Sequence, residues 1–371
     1  MLAYAPASAT FKKARVTPAG DFLTSVAVAD FNRDGNTDLV TTDQHTVAPS
    51  FVTVLLGNGK GRFPRKRTLR VGDNYPIAVA VGRFDRNRYP DIAVTRSSIP
   101  GTDADVKIFK TKRRNRGGIR FKPGQSVFLG DQGISGPAPQ AIEAARFTRD
   151  RKLDLVVADR NFDVVSFLRG RRNAKFAPEV ELPVANAPQD LAVGRLNPGR
   201  RLDVATPSIT DDAVSILPGR QGAPFFHPVQ NFPATDAPHA VAVGDVAGDG
   251  RPDFATNSDF DPEVGVFANT GAGFTPVAPI ALPDEASQLA IGRLAGNSKP
   301  DIAMLVRGSP GALRLAVRKP NGNLKLRPKA YKADFDIANS DIRLAHMNGD
   351  RKLDVVASGG SSGAVAVFLH R

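Results

Sequence analysis

The sequence predicts an all-β fold, a seven-bladed propeller of four-stranded blades, and three observations carry that expectation. An Ala/Val-rich run, a polar loop and a closing Asp that opens a second apolar run recur seven times in 371 residues. The closing aspartates are Asp38, Asp91, Asp154, Asp203, Asp253, Asp301 and Asp354, with spacings of 53, 63, 49, 50, 48 and 53 residues. Strand-rich repeats of about this length mark a propeller or a related array. The seventh unit stops one strand short, and an unmatched strand-like segment stands near the N-terminus.

Each unit contributes its strands in the same order. The innermost is the Ala/Val-rich run: VAVA from Val26, IAVAV from Ile77, AIEAA from Ala141, LAVG from Leu191, VAVG from Val241, LAIG from Leu289 and IRLA from Ile342. The second begins at the closing Asp. Alternating third strands follow, such as Phe51 to Leu56, Val164 to Leu168, Val214 to Leu217 and Val264 to Phe267. Fourth segments open on an aromatic at Phe63, Phe121, Phe176, Phe226 and Phe274, and on Leu326 in the sixth unit. Four short strands separated by turn signals make one blade. Phe11, in TFKKARVTP, matches the fourth-strand openings. It is expected to complete the last blade, because an open ring exposes an unpaired strand edge. The blades then run approximately 21–70, 71–130, 131–183, 184–233, 234–283, 284–335, and 336–371 with 10–18, all in one domain of residues 1–371.

Composition agrees. The 34 Gly and 29 Pro punctuate frequent turns, and no useful helical period is present. Every apolar run falls well short of the roughly 18 residues that suggest a membrane span, so insertion is not expected. Met1 to Ala9 reads as a short leader. With no Cys, disulfide and thiol chemistry are excluded.

The loop DFNRDGNTD is the best-specified chemical site. Asp30, Asn32 and Asp34 alternate, Gly35 permits a sharp turn, Asn36 offers its carbonyl and Asp38 closes the set. Hard oxygen donors in that pattern suit Ca²⁺. In the fifth copy Asp245, Asp249 and Asp253 survive while Ala247 replaces one donor, which leaves a weaker second set. The first position has become Arg83, Arg146, Arg195 and Arg293 in four copies and His346 in the seventh. These arginines are expected either to pair with the closing Asp in place of calcium or to face solvent, leaving the Asp to loop amides.

SVAVADFNRDGNTDLVTT followed by VTVLLGNGKGRF, at Val52 to Phe63, resembles the FG-GAP/VCBS-repeat propellers, a family that includes integrin alpha N-terminal propellers, secreted bacterial proteins and lectins. The resemblance extends over essentially the whole chain. It implies calcium ligation by Asp30, Asn32, Asp34, the Asn36 carbonyl and Asp38, with Asp245, Asp249 and Asp253 as a degenerate set. It also implies a secreted or cell-surface location.

The five histidines, His45, His227, His239, His346 and His370, lie on separate loops without metal-ligand spacing, and no catalytic triad is legible. A monomeric, non-catalytic binding or adhesion scaffold is therefore expected. Propeller topology sends the calcium-type loops and the third-to-fourth loops to one face, where Lys110, Lys112, Arg113 and Arg114 are the densest part of a basic surface. With a net charge of +13, that surface suits a polyanion, a glycan or a cell-surface protein. Nucleic acid is disfavoured because no stacking aromatics are interleaved. The opposite face gathers carboxylates together with Tyr75, Phe162, Phe260 and Phe22, an alternative sugar-binding, lectin-like surface. A polysaccharide-active enzyme is the third reading.

Overall fold

The computed structural model describes residues 10–44, 49–97, 103–113, 118–130, 136–295, 299–308, 311–318, 324–333 and 341–371. The expected leader Met1 to Ala9 and Arg114 lie outside these residues. All regular elements among the described residues are strands, arranged as seven antiparallel sheets.

In blade 1 the strands run outward from the axis as Leu23–Ala29, Asp38–Asp43, Ser50–Leu56 and Arg65–Gly72. Blades 2 to 6 repeat that order, and in every blade the second strand begins at the closing Asp. The extra length of unit 2 goes partly into a longer outer hairpin, Asp105–Arg113 with Ile119–Phe128. In blade 6 the outer edge is split: Leu324–Leu326 and Tyr331–Lys332 pair with different parts of Ala312–Arg318.

The ring closes as the sequence predicts. Arg15–Pro18 pairs antiparallel with Ala364–Phe368, Arg15 opposite Val367 and Pro18 opposite Ala364, and a further bridge joins Phe11 to His370. Phe11 is almost completely buried, stacked on His370 and edge-on to Tyr331 of blade 6. The first and last segments of the chain thus share one blade.

The core is seven apolar clusters, one at each contact between neighbouring blades. Two residues of the repeat build each contact. The second residue of the calcium-type loop points into the next blade, where it meets the residue that opens the fourth segment. Phe31 meets Phe121, Phe84 meets Phe176 and Phe147 meets Phe226, with ring centroids 5.8, 5.4 and 5.5 Å apart. Leu196 with Phe274, Val246 with Leu326, Leu294 with Phe11 and Met347 with Phe63 share the remaining clusters. Edge-to-face rings contribute about 0.5–1.5 kcal/mol beyond their buried area.

Candidate functional site

Every closing Asp is a backbone clamp. Asp38 accepts the Phe31 amide at Oδ2 (2.8 Å) and the Gly57 amide at Oδ1 (2.7 Å), tying the first loop to the end of the third strand. Asp154 does the same with Thr148 and Gly170, Asp203 with Asn197 and Gly219, and Asp354 with Met347 and His370. Asp91, Asp253 and Asp301 complete the series. Gly57 sits where a Cβ would lie 2.1 Å from the Thr37 carbonyl, so only glycine lets the strand end approach that closely. Calcium-type loops and third-to-fourth turns therefore share one face.

Of the two expectations for the loop arginines, replacement of calcium is corrected and the other holds: the closing Asp is left to loop amides. Arg83, Arg146, Arg195 and Arg293 are exposed, and none has an ion-pair partner among the described residues. The closing carboxylates are buried and filled by amides, and burying a guanidinium beside them costs more solvation than the pair returns. Where a cation does reach a loop carboxylate, it comes from elsewhere. Lys152, at the seventh loop position, holds Asp150 at 2.7 Å, Arg251 holds Asp249 from the same position, and Lys112 reaches Asp85 at 3.4 Å from the third strand.

In the first loop Asp30 accepts the amides of Asp34 (3.1 Å) and Gly35 (2.9 Å), Asn32 accepts that of Asp34 (3.0 Å), and Asp34 accepts that of Asn36 (2.9 Å). Arg33 and Gly35 adopt left-handed φ values of 60° and 85° to form the turn. Burial pushes the Asp38 carboxyl up to about 7, the nearby Asp34 and Asp30 charges adding to the effect and the Gly57 and Phe31 amides opposing it. Among the described residues, no three Asp, Glu, His or Cys side chains could hold a metal by themselves. The loop's donor set does fit a hard cation once the Asn32 side chain and Asn36 carbonyl are counted, and a cation there would offset the three carboxylates. In the fifth loop Asp245 accepts the Gly250 amide (3.0 Å), Asp253 clamps Ala247 and Asn269, and Asp249 is occupied by Arg251.

On the basic face Lys110 is half-buried, Lys112 is engaged by Asp85 and Arg113 is exposed. On the other face many of the carboxylates are structural. Asp43 caps the Asp21 and Phe22 amides, Asp159 those of Ala138 and Asn161, and Asp105 holds Arg96 at 2.6 Å. The rings expected there do not form one platform. Phe162 lies against Gly130, which would bring a Cβ within 3.3 Å of its ring, and Phe260 stands 70% exposed. Tyr75 and Phe22 instead line a cavity of about 460 Å³ at the mouth of the central channel.

That cavity is the feature the sequence reading missed. Its wall carries Glu143, Asp190, His239, Asp341 and Arg343 from blades 3, 4, 5 and 7. Asp341 accepts Ser25 Oγ (2.9 Å) and the Val26 amide (3.0 Å) of blade 1 and holds Arg343 at 2.6 Å. Asp190 accepts the amides of Leu191 (2.8 Å) and Val241 (3.1 Å), the latter in blade 5. Burial pushes Asp190 up to about 7, raises Glu143 and lowers His239. A signal was present in the copies. Glu143 and Arg343 stand at the innermost-strand register, opposite the second residue after the closing Asp, where the other blades have Ala27, Ala80, Ala192, Ala242 and Ala290.

The family model for the FG-GAP-like repeat matches residues 30–94, from the first loop into the second strand of blade 2. Among solved structures, the chain is similar to the RRP9 WD40 repeats, with a TM-score of 0.64, 12% identity and 99% of each chain covered. The Neurospora crassa Pan2 WD40 domain gives 0.56 at 13% identity, covering 95% of this chain and 94% of its own. The Pseudomonas aeruginosa periplasmic gluconolactonase PpgL gives 0.55 at 14%, with 85% of each chain covered. At such identities the likeness is one of fold. No curated protein sequence matches the chain.

Proposed function

We propose that this seven-bladed propeller, whose residues 30–94 match the FG-GAP-like repeat, is a non-catalytic, calcium-stabilised binding scaffold of the secreted or cell-surface kind, and that it takes a polyanionic ligand on the face of its calcium-type loops. The observation that carries this reading is the exposed set Arg83, Arg146, Arg195 and Arg293. Each directly follows or closely follows an innermost strand, so together they rim the channel exit on one face. Exposed Arg113, Arg171, Arg172 and Arg200 extend the charge outward. Guanidinium forks bind sulfate, phosphate and carboxylate groups through paired N–H donors and need no reacting group. Calcium at Asp30, Asn32, Asp34, Asn36 and Asp38 would order one loop of that face without touching the ligand.

Retention on heparin tests the proposal. The protein should bind at low salt and elute as ionic strength screens the contacts, and a variant with all four rim arginines changed to Ser should elute at clearly lower salt. Flow-through of the unaltered protein at low salt, or identical elution of the two, would sink it. Depolymerisation of an anionic polysaccharide during the same incubation would overturn the non-catalytic part.

A further inference from the structure

The central channel is divided. Arg343 of blade 7 reaches across it towards Glu143 of blade 3, 3.5 Å from guanidinium to carboxylate, and both side chains remain about a third exposed, at 32% and 35%. The same pair lines the cavity of about 460 Å³ on one side and a smaller chamber of about 120 Å³, otherwise walled by Ala and Val, on the other. The pair is thus the floor of the larger cavity. At this register the remaining blades carry alanine, so the fold itself does not require a charge on the axis.

Glu143 is the least engaged carboxylate of the cavity. Asp341 spends its oxygens on Arg343, Ser25 and Val26, and Asp190 spends its own on two backbone amides. Both therefore hold neighbouring blades together. Glu143 has only the looser contact to Arg343 as an ion pair among the described residues. Asp341, Asp190 and Glu143 face one guanidinium in a narrow, partly desolvated well; burial favours the protonated form of Asp190 and Glu143, and a cation entering beside them favours the charged form again. His239, on the same wall, is held towards its neutral form by burial and does not redress the balance. Phe22 and Tyr75 line the same cavity, as do Gln140 and Gln189, whose Nε2 groups donate to the Ala138 and Ala187 carbonyls and leave their Oε1 atoms to accept.

We infer that this axial cavity is a binding site for a small organic cation, a primary amine carrying hydroxyl groups, with Glu143 as its counter-ion, Phe22 or Tyr75 as a ring face beside the ammonium, and the glutamine side-chain carbonyls accepting from the hydroxyls. The site lies on the face opposite the proposed polyanion surface and is independent of it.

The test uses glucosamine and glucose, which share a shape and differ by the amine. Calorimetric titration of the full chain should give measurable binding of glucosamine and at least tenfold weaker binding of glucose. Glu143→Gln, which keeps the side-chain shape, should weaken glucosamine at least tenfold. Glu143→Ala restores the residue of the other blades and should do the same with an unchanged melting temperature, which controls for folding. Both variants should elute from heparin with the unaltered protein, so failure here is separable from failure of the polyanion reading. Equal binding of the two sugars, no heat from glucosamine, or full affinity in Glu143→Gln would each overturn the inference.

Discussion

Asp91 shows how one side chain can fix a blade. Its Oδ2 accepts the amides of Phe84 (3.1 Å) and Asp85 (3.2 Å), and its Oδ1 that of Thr111 (2.8 Å), so one carboxyl orders the loop and anchors the next strand end. Burial nonetheless pushes its pKa up to about 6. The folded chain therefore binds this proton more tightly than the unfolded chain, whose value is about 3.9. The resulting stability is present near pH 4 and is lost as pH rises through about 6, by up to about 3 kcal/mol. Asp91→Asn removes that titration and turns an amide donor towards backbone N–H groups, at a cost of about 1–3 kcal/mol. Urea melts of both proteins from pH 4 to 7.5 should show the advantage of the unaltered chain shrinking as pH rises. A flat or widening gap would contradict the burial argument. Comparing the two chains at each pH cancels the global repulsion of a strongly basic protein.

At the scale of the element, the calcium-type loop has two separable jobs. Its second residue fills the contact with the next blade, and in the first loop its alternating oxygens, which already accept loop amides, are proposed to take a cation as well. The first job persists in every blade, whereas in blades 3 and 5 a tethered base, Lys152 or Arg251, meets the loop carboxylate. Asp34→Ala should accordingly abolish the strongest calcium site in a calorimetric titration while leaving the ring folded, because Phe31 and Asp38 still secure the loop. Five or more equivalent sites would contradict the reading that most of the other loops have lost the oxygen donor set. Truncating the packing residue is different. Phe31 is fully buried, and Phe31→Ala should cost about 3–5 kcal/mol, read as a lowered melting temperature whether or not calcium is present.

The whole molecule depends on a shared blade. Arg15–Pro18 supplies the outer strand of blade 7, and Phe11 fills the contact between blades 6 and 7. Deleting residues 1–19 would expose the edge of Ala364–Phe368 and leave the space occupied by Phe11 empty. Such a chain should melt far below the full-length protein or aggregate through the open edge. Scanning calorimetry with light scattering distinguishes these outcomes from an unchanged transition, which would show that the ring does not need its closure.

The blades, their number and their closure were legible in the sequence because each rests on local rules. Alternation marks a strand, Gly and Asn mark a turn, and a closing Asp recurs wherever a buried loop amide needs an acceptor. The aromatics from Phe11 to Phe274 were likewise readable as the openings of fourth strands, and the structure shows them as contacts between blades. The partner of a charge was not legible. Arg83 and Asp91 have the spacing of a pair, yet desolvation leaves the arginine in water and gives the carboxylate to the backbone. Nor was the axial cavity, since Glu143, Asp190, His239 and Arg343 come from four blades and meet only when the ring closes. The sequence by itself determined the repeat, because a repeat is written in neighbouring residues. The tertiary structure decided which charges met and where a cavity remained, because both depend on burial and on the summed rotation of seven blades about one axis.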